Sequence, residues 1–176
     1  MLDISISYNK YKFLGNEFLT WLWFSIEKDQ TFFGENSREK VVIEIGNRVV
    51  LEKHRKDSDR QETITIKGDD ASLDEGIIAL RKGAVVSEIN LLYKVDDQTW
   101  HFTIKGESLH ITGLKTPESG NISTEDDIDG AVLEKFFLYD RLLAIIDNAF
   151  QKFLKIRLSD EWKTEEIIKI KNWIYA

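Results

Sequence analysis

The sequence predicts an α+β fold, an antiparallel sheet of about five or more strands with helices flanking it and packed on one face. Apolar and polar residues alternate between residues 85 and 111, and turn-forming pairs interrupt them at Asp96-Asp97 and Gly106-Glu107. Patterns of helical period lie on both sides of these strands. Because strand pairs come in runs and the helices lie outside them, the α+β class is favoured.

The first element is a predicted helix over residues 13–27. Phe18 and Leu22 recur on one stripe, which Trp21 and Phe24 widen. An aromatic stripe at this spacing is typical of a protein core. A nucleic-acid stacking surface needs aromatic residues interleaved with Lys or Arg, and the tryptophans here have no basic neighbour before Lys28.

A hairpin is predicted next. Residues 41–45 and 48–51 are rich in β-branched side chains and flank Gly46-Asn47, a pair that tolerates the positive φ of a two-residue turn. A third strand follows at 62–67, with Thr63, Thr65 and Lys67 on one face.

A short amphipathic helix is predicted over residues 72–82. Ser72 and Glu75 form a capping box at its start, and Gly83 is the expected stop. The three strands that follow form a meander with one apolar face.

In the C-terminal third, the sequence predicts a surface loop over 115–129 and a long helix over 131–154. A final helix is predicted over 159–175, with Ser159 as its cap. The long helix is apolar on two stripes, which predicts burial on two sides: against the sheet, and against the final helix or a second subunit. The stripes are Val132, Phe136, Tyr139, Leu143, Ile146, Phe150 and Phe153, and Leu138, Leu142, Ile145 and Ala149.

Composition limits the class of protein. With 176 residues and 42% hydrophobic content, the chain is expected to form a single domain over 1–176. The absence of cysteine excludes disulfides, thiolate zinc sites and cysteine nucleophiles, and it fits a cytoplasmic location.

The N-terminus lacks a secretory pattern, and the most apolar stretch, 13–24, is too short to span a bilayer. No membrane association is expected.

Charge bears directly on nucleic-acid binding. The net charge is −7, and neither part of the chain is basic, which argues against a simple electrostatic DNA binder. A locally basic surface remains compatible with this total. The dense basic cluster lies between the predicted strands and comprises Lys53, Arg55, Lys56 and Arg60, half-neutralised by Asp57 and Asp59. It is either a phosphate-contacting hairpin tip or a solvated one.

No pattern of residues predicts catalysis. Pairing through Gly106-Glu107 places His101 and His110 on one polar face, but without a third metal ligand. The acidic clusters at 57–59 and 125–129 fall in predicted loops, and the chain has no P-loop, nucleophile elbow or zincin motif. We therefore expect no enzyme activity and no cofactor. A metal-dependent nuclease is kept as a third hypothesis, after the two given below.

Several blocks in order resemble the C-terminal half of the bacterial recombination-associated protein RdgC family. They are Phe18-Leu19-Thr20-Trp21-Leu22-Trp23, the strand pair 41–51, the helix 72–82 with its Gly83-x-Val85-Val86 exit, the strand 89–93, the block 100–112, and the long helix 133–154. The resemblance covers residues 13–154, so that 155–176 is an added helix. An N-terminal half of comparable size, which the family carries, does not precede these blocks.

The resemblance implies a recombination-associated protein that binds duplex DNA without sequence preference. Members of this family close as a ring-shaped homodimer around DNA and antagonise RecA-type recombinases. Here it implies a homodimer, or docking with a separate N-terminal-half protein, and a nucleoid-associated location. Phosphate contacts are expected from Lys53, Arg55, Lys56, Arg60, Arg81 and Lys82. Arg81 and Lys82 equally suit the negative end of a helix dipole. The alternative is a protein-interaction module that uses the long helix and binds no DNA.

Overall fold

The computed structural model describes residues 4–31, 41–54, 61–68, 73–117 and 125–176. It has the predicted α+β architecture, a five-stranded antiparallel sheet with flanking helices. The strands are β1 (Val41–His54), β2 (Gln61–Lys67), β3 (Val85–Val95), β4 (Gln98–Lys105) and β5 (Ile111–Lys115), in the order β2-β1-β3-β4-β5. The helices are α1 (Ile4–Lys28), α2 (Leu73–Arg81), α3 (Glu125–Arg157) and α4 (Ile167–Tyr175), the last preceded by a π-helix at Trp162–Glu166.

The predicted hairpin at Gly46-Asn47 is wrong, because β1 is one continuous strand. Ile45 pairs with Leu91 and Val49 with Ile89, so the intervening residues form a bulge within the same ladder. Glycine is needed here for close approach: a Cβ on Gly46 would lie 2.0 Å from Asn90 Oδ1. The glycine therefore accommodates the Asn90 side chain and does not reverse the chain.

The predicted end of α2 is confirmed. Gly83 has φ of 83° and donates to the Leu80 carbonyl at 2.9 Å, while Ala84 donates to the Ala79 carbonyl at 3.0 Å. This pair of bonds is a Schellman motif, which satisfies the last carbonyls of a helix and favours glycine in the left-handed region. Ser72, the predicted cap, lies outside the described residues.

The predicted boundaries of α3 are wrong at its start. The helix begins at Glu125, so residues 125–130 are helical and not part of a loop.

The core lies between one sheet face and the helices. The side chains of β3 alternate, with Ile89, Leu91 and Tyr93 buried on the helical side. From α1, Phe18 reaches α3, its ring centroid 5.1 Å from that of Phe150 and 5.5 Å from that of Phe153. The apolar face predicted for the meander is thus the sheet side of the core.

The C-terminal segment packs on the same chain. Trp162 meets Phe153 edge to face at 5.7 Å, and Trp173 meets Trp23 in the same way at 5.7 Å. The Ser159 hydroxyl donates to the Ile156 carbonyl, so Ser159 closes the end of α3 and does not cap the following helix as predicted. None of the described helices is long and apolar enough to cross a membrane.

Candidate functional site: the exposed face of the long helix

An apolar surface lies uncovered on the N-terminal half of α3. Seven large side chains there are 40–69% exposed. They form what we call the docking face: Ile128, Val132, Leu133, Phe136, Phe137, Tyr139 and Leu143. Together they expose on the order of 600 Å², taking a large side chain as about 150–250 Å². A typical monomer's largest apolar patch is about 300–600 Å², so this surface is at the upper limit.

The position of α3 on the sheet explains why this face is open. Leu138 and Leu142 are buried on the opposite stripe, and Leu142 lines a small apolar gap with Tyr93 and Phe102 of the sheet. The guanidinium of Arg141 lies 6.0 Å from the Trp100 ring centroid. The helix therefore touches the sheet along one stripe only.

The C-terminal half of α3 shows the contrast. There the stripe that includes Val132 and Phe136 continues to Phe150, which α1 covers through Phe18. The Arg157 side chain donates to a Glu17 carboxylate oxygen at 2.6 Å and fixes the same contact. Burial on two sides is therefore confirmed for this half, while the prediction is wrong for the N-terminal half, where Phe136 is 62% exposed.

The candidate DNA-binding residues fall into two groups. Arg55, Lys56 and Arg60 lie outside the described residues. Lys53 is half-buried at the end of β1, opposite Glu62. Glu52, the residue before Lys53, pairs with Val85 at the start of β3. The end of β1 therefore lies close to the turn between α2 and β3, which holds Lys82.

Arg81 is already engaged within the chain. Its Nε donates to the Ile174 carbonyl near the end of α4. This bond anchors α2 to α4, and it also satisfies a carbonyl in the last turn of α4. Lys82 is exposed like Arg81, but no such bond holds it to the described part of the chain. Of this pair, Lys82 is the better placed to contact a phosphate.

The sheet face opposite the core is polar and carries several cations. Arg48 and Lys105 share Glu88 at 3.2 and 3.7 Å, and Lys94 pairs with Glu44 at 2.6 Å. Two further cations on this face, Lys67 and Lys115, have no ion-pair partner among the described residues. The open face is thus richer in cations than the net charge of −7 suggests.

The predicted proximity of the two histidines is wrong. Thr103 pairs with Thr112, and the Lys105 amide donates to the His110 carbonyl, so the β4–β5 connection spans residues 106–110. His101 lies opposite Lys115, well along the ladder from His110. The longer connection follows from Leu109, whose φ of 54° places an extra left-handed residue in it. Within the described part of the chain, no group of three His, Asp or Glu residues could hold a metal ion.

Comparison with known proteins gives no match: no family model, no curated protein and no solved structure is similar to this chain.

Proposed function

We propose that this chain is a protein-interaction module, and that a partner polypeptide covers the docking face of α3. The single observation that supports it is the exposure of seven large apolar side chains on one half-helix. Water contact with such a surface is unfavourable by roughly 25 cal/mol per Å², so its burial in a complex favours association. Interfaces also favour Phe and Tyr at their centres, where the most important contacts lie.

The face has the geometry of a helix-recognition surface. Ile128, Val132, Phe136, Tyr139 and Leu143 are spaced three or four residues apart, which aligns them along one side of α3. An apolar helical stripe of this kind packs against a second helix or into an apolar groove. The module presents this stripe on a rigid sheet-backed helix, so little ordering cost accompanies binding.

The test is the mass of the native complex and its response to a double substitution. The tagged chain, purified from its own host, is expected to show a light-scattering mass well above the 20.5 kDa of one chain. Leu133→Ser with Phe136→Ser should weaken the association about 30-fold or more, since two central apolar contacts are lost. The sedimentation mass of the purified chain alone then identifies the kind of partner. A dimer mass indicates a second copy of this chain, and a monomer mass indicates a different protein.

Leu158→Ser is the matched control. Leu158 is 83% exposed, lies just beyond α3 and is outside the docking face. This variant should keep the wild-type mass. A wild-type chain that remains at 20.5 kDa in its native host, or an association that survives the double substitution, contradicts the proposal.

Duplex-DNA binding is the second candidate. Its support is the polar sheet face, with Lys67 and Lys115 unpaired among the described residues, and the strand end that brings Lys53 near Lys82. The sequence blocks that resemble RdgC point the same way. Phosphate contacts from these cations would give sequence-independent binding.

Fluorescence anisotropy of a labelled duplex at several salt concentrations tests this second candidate. Replacing Lys53, Arg55 and Lys56 by alanine should reduce the slope of log K against log salt by about 2–3, because each lost phosphate contact removes about 0.9. Lys169→Ala, which removes a cation paired with Glu165, is the control and should leave the slope unchanged. Absence of binding at low salt would exclude the candidate, and Mg²⁺-dependent loss of the duplex would point to a nuclease instead.

A further inference from the structure

Two carboxylates lie within the apolar surface of α3. Asp129 and Asp140 are both exposed, and 11 residues separate them. At 100° and 1.5 Å per residue, this places them on almost the same side of the helix, about 16 Å apart. Around the helix axis, they fall between Phe136 on one side and Leu133 and Phe137 on the other.

The surroundings of Asp140 are apolar on every helical neighbour. Residues three and four positions away are Phe136, Phe137, Leu143 and Ala144. Among the described residues, neither Asp140 nor Asp129 has an ion-pair partner. Each carboxylate is therefore free to meet a charge supplied from outside.

Covering the docking face removes water from these carboxylates. Burying a charge without a partner is strongly unfavourable, whereas a Lys or Arg placed opposite restores much of the lost solvation. A purely apolar partner that buried the seven side chains would also bury two carboxylates without an opposite charge beside them. A partner with cations in its apolar face avoids that cost.

A second copy of this chain fits poorly for the same reason. The antiparallel pairing that superposes the two apolar faces sets Leu133 against Phe136 of the other copy, and then Asp129 faces Asp140. A parallel pairing sets each carboxylate against itself. Like charges across an interface disfavour association, and a chain with a net charge of −7 also attracts a basic partner at long range.

We propose that the docking face takes a basic amphipathic segment of a different protein, with Lys or Arg opposite Asp129 and Asp140. This inference rests on the proposed docking function and adds the chemical class of its partner. Apolar contacts supply the affinity, and the two carboxylates set orientation and choose the partner.

Three synthetic helical peptides of about 22 residues test the inference. The first carries leucines on one face with two lysines 11 residues apart within it, the second has glutamates in place of those lysines, and the third has the same lysines moved to the opposite face. Each labelled peptide is titrated with the full-length chain and followed by anisotropy. The first peptide is expected to bind at least about 10-fold more tightly than either of the others, since only it pairs both carboxylates.

Charge-changing variants make the test specific. Asp129→Asn with Asp140→Asn should remove the preference for the first peptide, and Asp129→Lys with Asp140→Lys should reverse it in favour of the second. A preference that survives these substitutions, equal binding of the first and third peptides, or no binding of the first peptide overturns the inference. Self-association of the wild-type chain that Leu133→Ser with Phe136→Ser abolishes overturns it as well.

The same variants separate this inference from the function on which it rests. If Leu133→Ser with Phe136→Ser loses all three peptides while peptide charge has no effect, the docking face is correct and the choice of a basic partner is wrong. If that double variant binds the peptides as tightly as the wild type, the docking face itself is wrong.

Discussion

Gly15→Ala is expected to destabilise the fold by about 3 kcal/mol or more, although alanine is the better helix former. A Cβ at this position would lie 1.7 Å from the Gly106 carbonyl oxygen, far inside van der Waals contact. Because the opposing group is backbone, no side-chain rotation relieves the clash. The helix α1 must move away from the β4–β5 connection, which opens the core that Phe18 fills. Urea unfolding followed by tryptophan fluorescence measures the loss.

Gly130→Ala is the matched control for this prediction. Gly130 also lies in a helix, but apart from the adjacent backbone of that helix no atom lies within 4 Å of the position that an added methyl group would occupy. The substitution should therefore raise the free energy of unfolding by about 0.5–1 kcal/mol through helix propensity alone. Equal unfolding midpoints for the two variants would contradict the close packing of α1 on the β4–β5 connection.

Phe153→Ala is expected to cost about 3–5 kcal/mol, the range for removing a buried aromatic ring. Phe153 is fully buried and is surrounded by the rings of Phe18, Trp21, Phe150 and Trp162, with centroids 5.5–6.1 Å away. The ring therefore joins α1, α3 and the π-helix. Since a domain of this size has about 5–15 kcal/mol of stability, the variant should be close to unfolding.

Phe137→Ala removes the same ring from the exposed side of the same helix. Phe137 is 64% exposed, so its loss should change the unfolding free energy by no more than about 0.5 kcal/mol. A comparison of the two urea midpoints checks both values at once. If Phe137→Ala proved as damaging as Phe153→Ala, the N-terminal half of α3 would have to be covered within the chain.

Local pattern was sufficient to predict the sheet and most helix positions. The alternation of Ile89, Leu91 and Tyr93 follows directly from the two-residue period of a strand, and Gly83 ended α2 as predicted. The hairpin prediction at Gly46 was wrong, because a glycine suits a turn and a close backbone approach equally well. The choice between them depends on Asn90, 44 positions away, which no local pattern reveals.

The docking face was only half predictable. The sequence showed two apolar stripes on α3, but α1 crosses only the C-terminal half of one of them, and that extent is a tertiary property. The importance of Asp129 and Asp140 follows from the same fact, since a carboxylate within an apolar face matters only where the face is open. The sequence offers phosphate contact or the helix dipole as roles for Arg81, and its bond to Ile174 could not be predicted because it depends on how α4 packs.

If another polypeptide covers the docking face, residues on that face are protected from reagents in the cell. The chain has no cysteine, so a single introduced thiol can be labelled without background. Leu133→Cys lies on the docking face, and Leu158→Cys, at a residue that is 83% exposed just beyond α3, lies outside it. The measurement is the rate of labelling by a membrane-permeant maleimide, in host cells and in the purified chain. Position 133 should react rapidly in the purified chain and at least about 10-fold more slowly in cells, because roughly 90% coverage leaves one-tenth of the face open. Position 158 should react equally fast in both settings. Equally fast labelling of position 133 in both settings would contradict the claim.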